Sequence, residues 1–245
     1  MGLFTDIFRP KQKDEQEAVR AEFFKTLTPY KPVFHNWQGS IYESELIRAA
    51  INARARHISK LYFQRKAGDM HNIKLLNIEL GRVSAAEYKE LPETGIVVVL
   101  DNIRSAHNVG SAFRTADSFK IDKVWLCGIC AVPPSAEIHK SALGAEDSVE
   151  WEHVKDTMDA VRRLKEDGYI IVSAEQTAQS VMLDKFVPEK GKKYAVVFGN
   201  EVAGVDQEVV DASDFALEIP QFGTKHSLNV SVSVGVILWH FRLHI

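Results

Sequence analysis

From Gly95 onward, short apolar runs alternate with amphipathic segments. GIVVVLD, KVWLCGI, YIIVSA and KYAVVFG read as buried strands, with helices near residues 109–119 and 156–167 between them. This alternation predicts an α/β domain in which a parallel sheet is covered by helices on both faces. Before Gly95 the pattern differs. Residues 11–27 are charged and proline-free and read as an exposed helix, and Pro29 and Pro32 interrupt regular structure just beyond it. A second helix is predicted from a capping box formed by Ser40 and Glu43. Leu46, Ile47, Ala50, Ile51, Ile58 and Leu61 make its apolar stripe. The chain therefore divides into a mainly helical N-terminal extension (1–64), a basic linking segment (65–92) and an α/β domain (93–245).

Charge sharpens that division. Residues 1–92 carry 15 Lys and Arg against 11 Asp and Glu, whereas residues 93–245 carry 15 against 22. Nucleic-acid binding by the acidic part must therefore use a local patch or draw on the basic N-terminal part. No stretch reaches the roughly 18 apolar residues of a membrane helix, and the N-terminus meets Asp6 before a signal-peptide core can form. These features lead to the expectation of a soluble cytoplasmic protein. The two cysteines, Cys127 and Cys130, have C-x-x-C spacing, but in a strand, residues three apart point to opposite faces. They are expected to be buried thiols, and no metal is expected.

In an open parallel sheet, ligands gather at the carboxyl ends of strands, so the polar residues there are the ones to inspect. Three places qualify. After GIVVVLD come Asn108, Gly110 and Arg114, with Arg104 nearby. The arginines suit phosphate, whereas Asn108 could be only a helix cap and Gly110 a close-packing residue. After KYAVVF, Gly199 and Gly204 bracket Asn200 and Glu201 in a polar turn, where Glu201 is catalytic, orients a neighbour or is simply solvated. After FALEI, Pro220 and Gly223 break the chain, and Ser227 and Asn229 open an apolar run. Its valines favour a strand locally, so the pattern alone leaves its type open, and Gly235 and Trp239 within it suggest packing. No Walker loop, H-E-x-x-H, G-x-S-x-G or G-x-G-x-x-G signature is present.

Taken in order, the three segments resemble the motifs of the SpoU/TrmH family of SPOUT methyltransferases. The first is Asn108-Val109-Gly110 with Arg114-Thr115-Ala116-Asp117, the second Phe198-Gly199-Asn200-Glu201 with Gly204, and the third Ile219-Pro220 with Ser227-Leu228-Asn229-Val230. EIHKSALGAEDSVEW also looks like the family's linking segment. The resemblance implies a C-terminal deep trefoil knot, S-adenosyl-L-methionine as cofactor, an RNA substrate (tRNA or rRNA) methylated on a ribose 2′-hydroxyl, and a homodimer. It implies catalytic roles for Asn108, Arg114, Glu201, Ser227 and Asn229. Cofactor binding falls to Gly199, Ile219 and Leu228, with Phe198 and Ala174 nearby, and the final apolar segment becomes a helix in the knot and at the dimer interface. A catalytically silent RNA-binding SPOUT protein and a SPOUT base methyltransferase are the alternatives. Separately, residues 1–64, through YKPVFHNW and YESELIRAAINARARHISKL, partly resemble the opening of tailed-phage portal proteins, which would make them a foreign leader.

Overall fold

The computed structural model describes Leu80 and residues 82–245. The two helices predicted before residue 65, the portal-like segment and most of the basic linking segment lie outside the described residues. Residues from Val83 onward form one compact unit. It begins with helix α1 (Ala85–Glu90), capped by Ser84 and Glu87 in a reciprocal capping box. Strand β1 (Ile96–Asp101) comes next and is buried along its whole length. Its alternation places Ile96, Val98 and Leu100 in one apolar cluster and Val97 and Val99 in another, as a strand covered on both faces requires.

The remaining elements are α2 (Ala106–Phe119), β2 (Lys123–Cys127), α3 (Ala136–Ala142), α4 (Ala145–Ser148), β3 (Glu150–Val154), α5 (Thr157–Glu166), β4 (Tyr169–Ala174), β5 (Val181–Met182), β6 (Lys193–Phe198), α6 (Gln207–Ala212), β7 (Phe215–Glu218) and α7 (Val230–His244). The seven strands pair in parallel in the order β3-β2-β1-β6-β4-β7-β5. The chain builds outward from β1 to β3, then crosses back to lay the other strands on the far side. The order thus reverses between β1 and β6, where loops leaving adjacent strand ends separate and leave a crevice. Helices α2, α3, α4 and α7 cover one face, around Phe113, Ile138 and Phe241. Helices α5 and α6 cover the other, through Val161, Leu164 and Val209.

Three sequence expectations change in the structure, and one point that the pattern left open is resolved. The run KVWLCGI is strand only to Cys127, because Gly128 turns the chain at φ +62°. Cys127 and Cys130 still reach opposite faces of the sheet, through that turn and not through strand alternation. Both are free and buried; burial raises both thiols, Cys130 to about 11. The first helix starts three residues before the expected Val109, because Ser105 is the cap and its hydroxyl accepts from the Asn108 N–H. The valine-rich C-terminal run, whose type the pattern alone left open, is a helix, as the family resemblance implied. Asn229 caps it, and Val234, Ile237, Leu238 and Phe241 form its buried face, where packing overrides local strand preference. Phe241 sits 5.2 Å from Tyr194 and 5.6 Å from Phe186, which ties the helix to the sheet. Trp239 does not pack in the core; it is half exposed, 5.8 Å from Phe119.

Candidate active site

The loops leaving β4, β6 and β7, together with the start of α7, enclose a cavity of about 450 Å³. Its apolar wall includes Phe198, Leu217, Ile219, Leu228 and Ile237, and its polar rim includes Glu175, Gln176, Glu218 and Gln221. That size and mixture suit a small organic ligand with one flat apolar part and several polar groups.

The loop after β6 folds back on itself. Asn200 and Gly204 exchange two backbone hydrogen bonds of 2.9 Å, and the Asn200 carboxamide oxygen accepts from the N–H groups of Val202 and Ala203. Two glycines make the turn possible. A Cβ on Gly199 would lie 2.0 Å from the Val205 nitrogen, and Gly204 has φ +74° with the Glu175 carboxylate 2.3 Å from where its Cβ would be. Glu175 in turn accepts from the Val205 N–H at 3.0 Å. The glycines are therefore needed for the loop's own closure, a tighter role than the flexibility their spacing suggested.

Glu201 projects from this turn across the crevice to the loop after β1. Its carboxylate accepts from the backbone N–H groups of Arg104 (3.1 Å) and Ser105 (3.2 Å) and from the Asn108 carboxamide (2.9 Å). It thus sits at the N-terminus of α2, where free N–H groups and the helix dipole favour a negative charge. Partial burial pushes its pKa up. The hydrogen bonds from Asn108 and from the backbone of Glu201, Arg104 and Ser105 outweigh that and hold it below the usual carboxylate range. Asn108 is therefore not the cap of α2, and its oxygen accepts from the Asn229 carboxamide at 3.3 Å. Asn229 also caps α7, its oxygen accepting from the Ser231 N–H at 2.9 Å. Three of the sequence-predicted residues, from three separate segments, are thereby joined in one chain of contacts.

Of the other expected residues, Gly199, Phe198, Ala174, Ile219, Ser227 and Leu228 all line the cavity, as do Glu201 and Asn229. Arg114 does not. It is exposed on α2, six residues beyond Asn108 and so about 9 Å further along the helix axis. Its guanidinium has no hydrogen bond or ion pair among the described residues. Gly110 has the close-packing role, since a Cβ there would lie 2.2 Å from the Ser141 hydroxyl and 2.4 Å from the Ile138 carbonyl of α3.

Sequence reasoning missed Glu175, Gln176 and Glu218, which directly follow or end strands and carry no motif of their own. It also missed Asp101, the last residue of β1. Asp101 is buried, accepts from Thr157 (2.5 Å) and Asn102 (2.9 Å), and holds the Asp206 N–H at 3.0 Å, which fixes the far end of the Glu201 turn. A carboxylate closing an otherwise apolar strand was the available signal. Among the described residues no group of three or more His, Cys, Asp or Glu side chains could hold a metal, and no helix is long and apolar enough to cross a membrane.

Residues 95–239 match the sequence profile of the SpoU rRNA Methylase family. The chain is 37% identical over 159 residues to a 23S rRNA (guanosine-2′-O-)-methyltransferase of Nitrosomonas europaea, covering 63% of this chain and 58% of that protein. It is 32% identical over 154 residues to the protein of the same name from Neisseria meningitidis, covering 63% and 60%. The chain therefore spans about three fifths of the length of these curated relatives. Among solved structures it resembles an AdoMet-bound rRNA methyltransferase from Sinorhizobium meliloti, with a TM-score of 0.59 at 28% identity over 64% of this chain and 60% of that one. It also resembles the TrmH/SpoU tRNA modifying enzyme of A. aeolicus, with a TM-score of 0.57 at 27% identity over 65% and 81%.

Proposed function

The chain belongs to the SpoU rRNA methylase family, and from that premise we propose that it transfers a methyl group from S-adenosyl-L-methionine to a ribose 2′-hydroxyl of tRNA or rRNA in the cytoplasm. The observation that carries the reading is that three sequence-distant segments converge on one cavity, with the Glu201–Asn108–Asn229 contacts along its edge.

The cavity's lining fits the cofactor. Phe198, Ile219 and Leu228 offer an apolar slot for an adenine ring, Ala174 and Gly199 leave backbone accessible beside it, and the carboxylates and carboxamides of the rim suit ribose hydroxyls and an ammonium group. S-adenosylmethionine, when bound, would supply an electrophilic methyl on its sulfonium; its transfer to an in-line ribose 2′-oxygen would leave neutral S-adenosylhomocysteine and release the hydroxyl proton to water.

The chain's own residues then have positioning tasks. Glu201, ionised and saturated with N–H donors, is poorly suited to take a proton and well suited to fix the first turn of α2 against the cavity. Asn229 links that turn to α7. Ser227, exposed at the cavity mouth, offers a hydroxyl to the incoming ribose. Arg114 grips a neighbouring phosphate bidentately and so orients the nucleotide, a role supported by its exposure outside the cavity. Its location argues for positioning over proton abstraction, for which a guanidinium, with five N–H donors and no acceptor, is poorly built.

Two further features belong to the proposal. The C-terminal part of the domain forms a deep trefoil knot, a reading supported by family membership and by the 199–206 turn and the 219–229 loop lining one cavity. The protein is a homodimer, supported by Val232, Val236, Trp239 and Leu243, which expose one apolar stripe along α7.

Incubation with labelled S-adenosylmethionine and total cellular RNA tests the activity, with calorimetric cofactor binding in parallel. Labelled RNA together with cofactor binding is expected. Cofactor binding without labelling would favour a silent RNA-binding protein.

A further inference from the structure

The loop from Pro220 to Asn229 carries a feature that the methyl-transfer chemistry does not use. Phe222 is 97% exposed, the most exposed of the large hydrophobic side chains described. Its neighbour Gln221 lines the cavity, and so do Ser227 and Leu228 at the loop's other end, so Phe222 stands at the rim. The loop is tethered, because Gln176 donates to the His226 carbonyl at 2.8 Å. Lys225 and His226, three and four residues further along the same loop, are exposed, and the Lys225 ammonium has no hydrogen bond or ion pair among the described residues. Val202, which also lines the cavity, is 82% exposed in the turn after β6 that Asn200 closes.

An aromatic face, a cation and a second apolar tip around one cavity match the parts of a single-stranded nucleotide: a base to stack and a phosphate to neutralise. Local cations matter here, because residues 93–245 are acidic overall. Building on the RNA methyltransferase reading, we propose that Phe222 is the stacking platform for an unstacked nucleobase of the RNA strand entering the cavity. Lys225 meets the adjacent phosphate, and Val202 offers a second apolar contact at the cavity.

The test uses the full chain and a ten-nucleotide single-stranded RNA with 2-aminopurine at its centre, whose fluorescence falls on stacking. Wild type is expected to quench it. Phe222→Ala loses the quench and binds roughly tenfold more weakly, and Phe222→Trp retains both. Lys225→Ala lowers the slope of log affinity against log salt by about 0.7. S-adenosylmethionine affinity stays unchanged in all three variants, since neither side chain lines the cavity. The proposal is overturned by unchanged quenching in Phe222→Ala, by absence of RNA binding in wild type, or by a change of oligomeric mass in Phe222→Ala, which would mean that a second copy covers the ring. Phe222-dependent quenching without any S-adenosylmethionine binding would uphold the platform and defeat methyl transfer instead.

Discussion

Replacing Glu201 with Gln keeps the side chain's shape and removes its charge. Of its two terminal atoms, one accepts from Ser105 N–H and Asn108, the other from Arg104 N–H. A carboxamide can keep its oxygen on the first pair only, so its NH₂ group then faces the Arg104 N–H, one acceptor is lost, and the favourable charge at the α2 N-terminus disappears. A lost hydrogen bond to a charged group and a lost dipole interaction, both reduced by the exposure of Glu201, amount to about 0.5–1.5 kcal/mol. For a unit of this size that is a fall in melting temperature of about 2–5 °C. The pH dependence is specific. Because the folded pKa lies below the ordinary 4.5, the stabilisation is complete above that value and is lost as pH falls through the folded pKa. Melting curves of wild type and Glu201→Gln should therefore be separated at pH 7 and converge in acid. Methyl transfer at neutral pH should fall only severalfold, whereas removal of a general base would cost roughly 100-fold or more. A gap in melting temperature that is absent at pH 7, or equally wide in acid, would refute the assigned role.

Gly199→Ala forces a methyl against three backbone atoms of Gly204 and Val205 and should lower the melting temperature by about 3–10 °C, with weakened S-adenosylmethionine binding by calorimetry. Arg114→Lys keeps the charge but not the planar fork; a loss of at least about tenfold in methyl transfer is expected with cofactor affinity unchanged, and near-wild-type transfer would count against bidentate phosphate positioning. Trp239→Glu places a charge in the apolar stripe of α7 and should shift the mass measured by light scattering from dimer to monomer; an unaltered mass would place the dimer elsewhere.

The strands buried on both faces were legible because unbroken apolar runs such as IVVVLD and YIIVSA have no other economical use in a short segment. Strand β3 was not, since EWEHV is a sheet-edge strand whose glutamates and histidine conceal its period while guarding the edge. Helix α7 was ambiguous locally because its valines favour strand, whereas what holds it as a helix is the packing of Val234, Ile237, Leu238 and Phe241 against the sheet. In the site, the motif residues were found through their order along the chain. Their division of labour was not, because it depends on contacts between residues about a hundred positions apart, such as Glu201 with Asn108. Asp101 and Glu175 reach the Glu201 turn through its backbone N–H groups, at Asp206 and Val205, which no spacing rule exposes.

The central claim is that the methyl group goes to a ribose oxygen. A ribose 2′-hydroxyl is the nucleophile of alkaline RNA cleavage, so methylating it makes the adjoining 3′ phosphodiester resistant. RNA labelled by this protein from methyl-tritiated S-adenosylmethionine and then hydrolysed in alkali should carry its label in resistant dinucleotides, at a discrete mapped position. Label recovered in mononucleotides, as base methylation would give, or no label despite S-adenosylmethionine binding, would contradict the account.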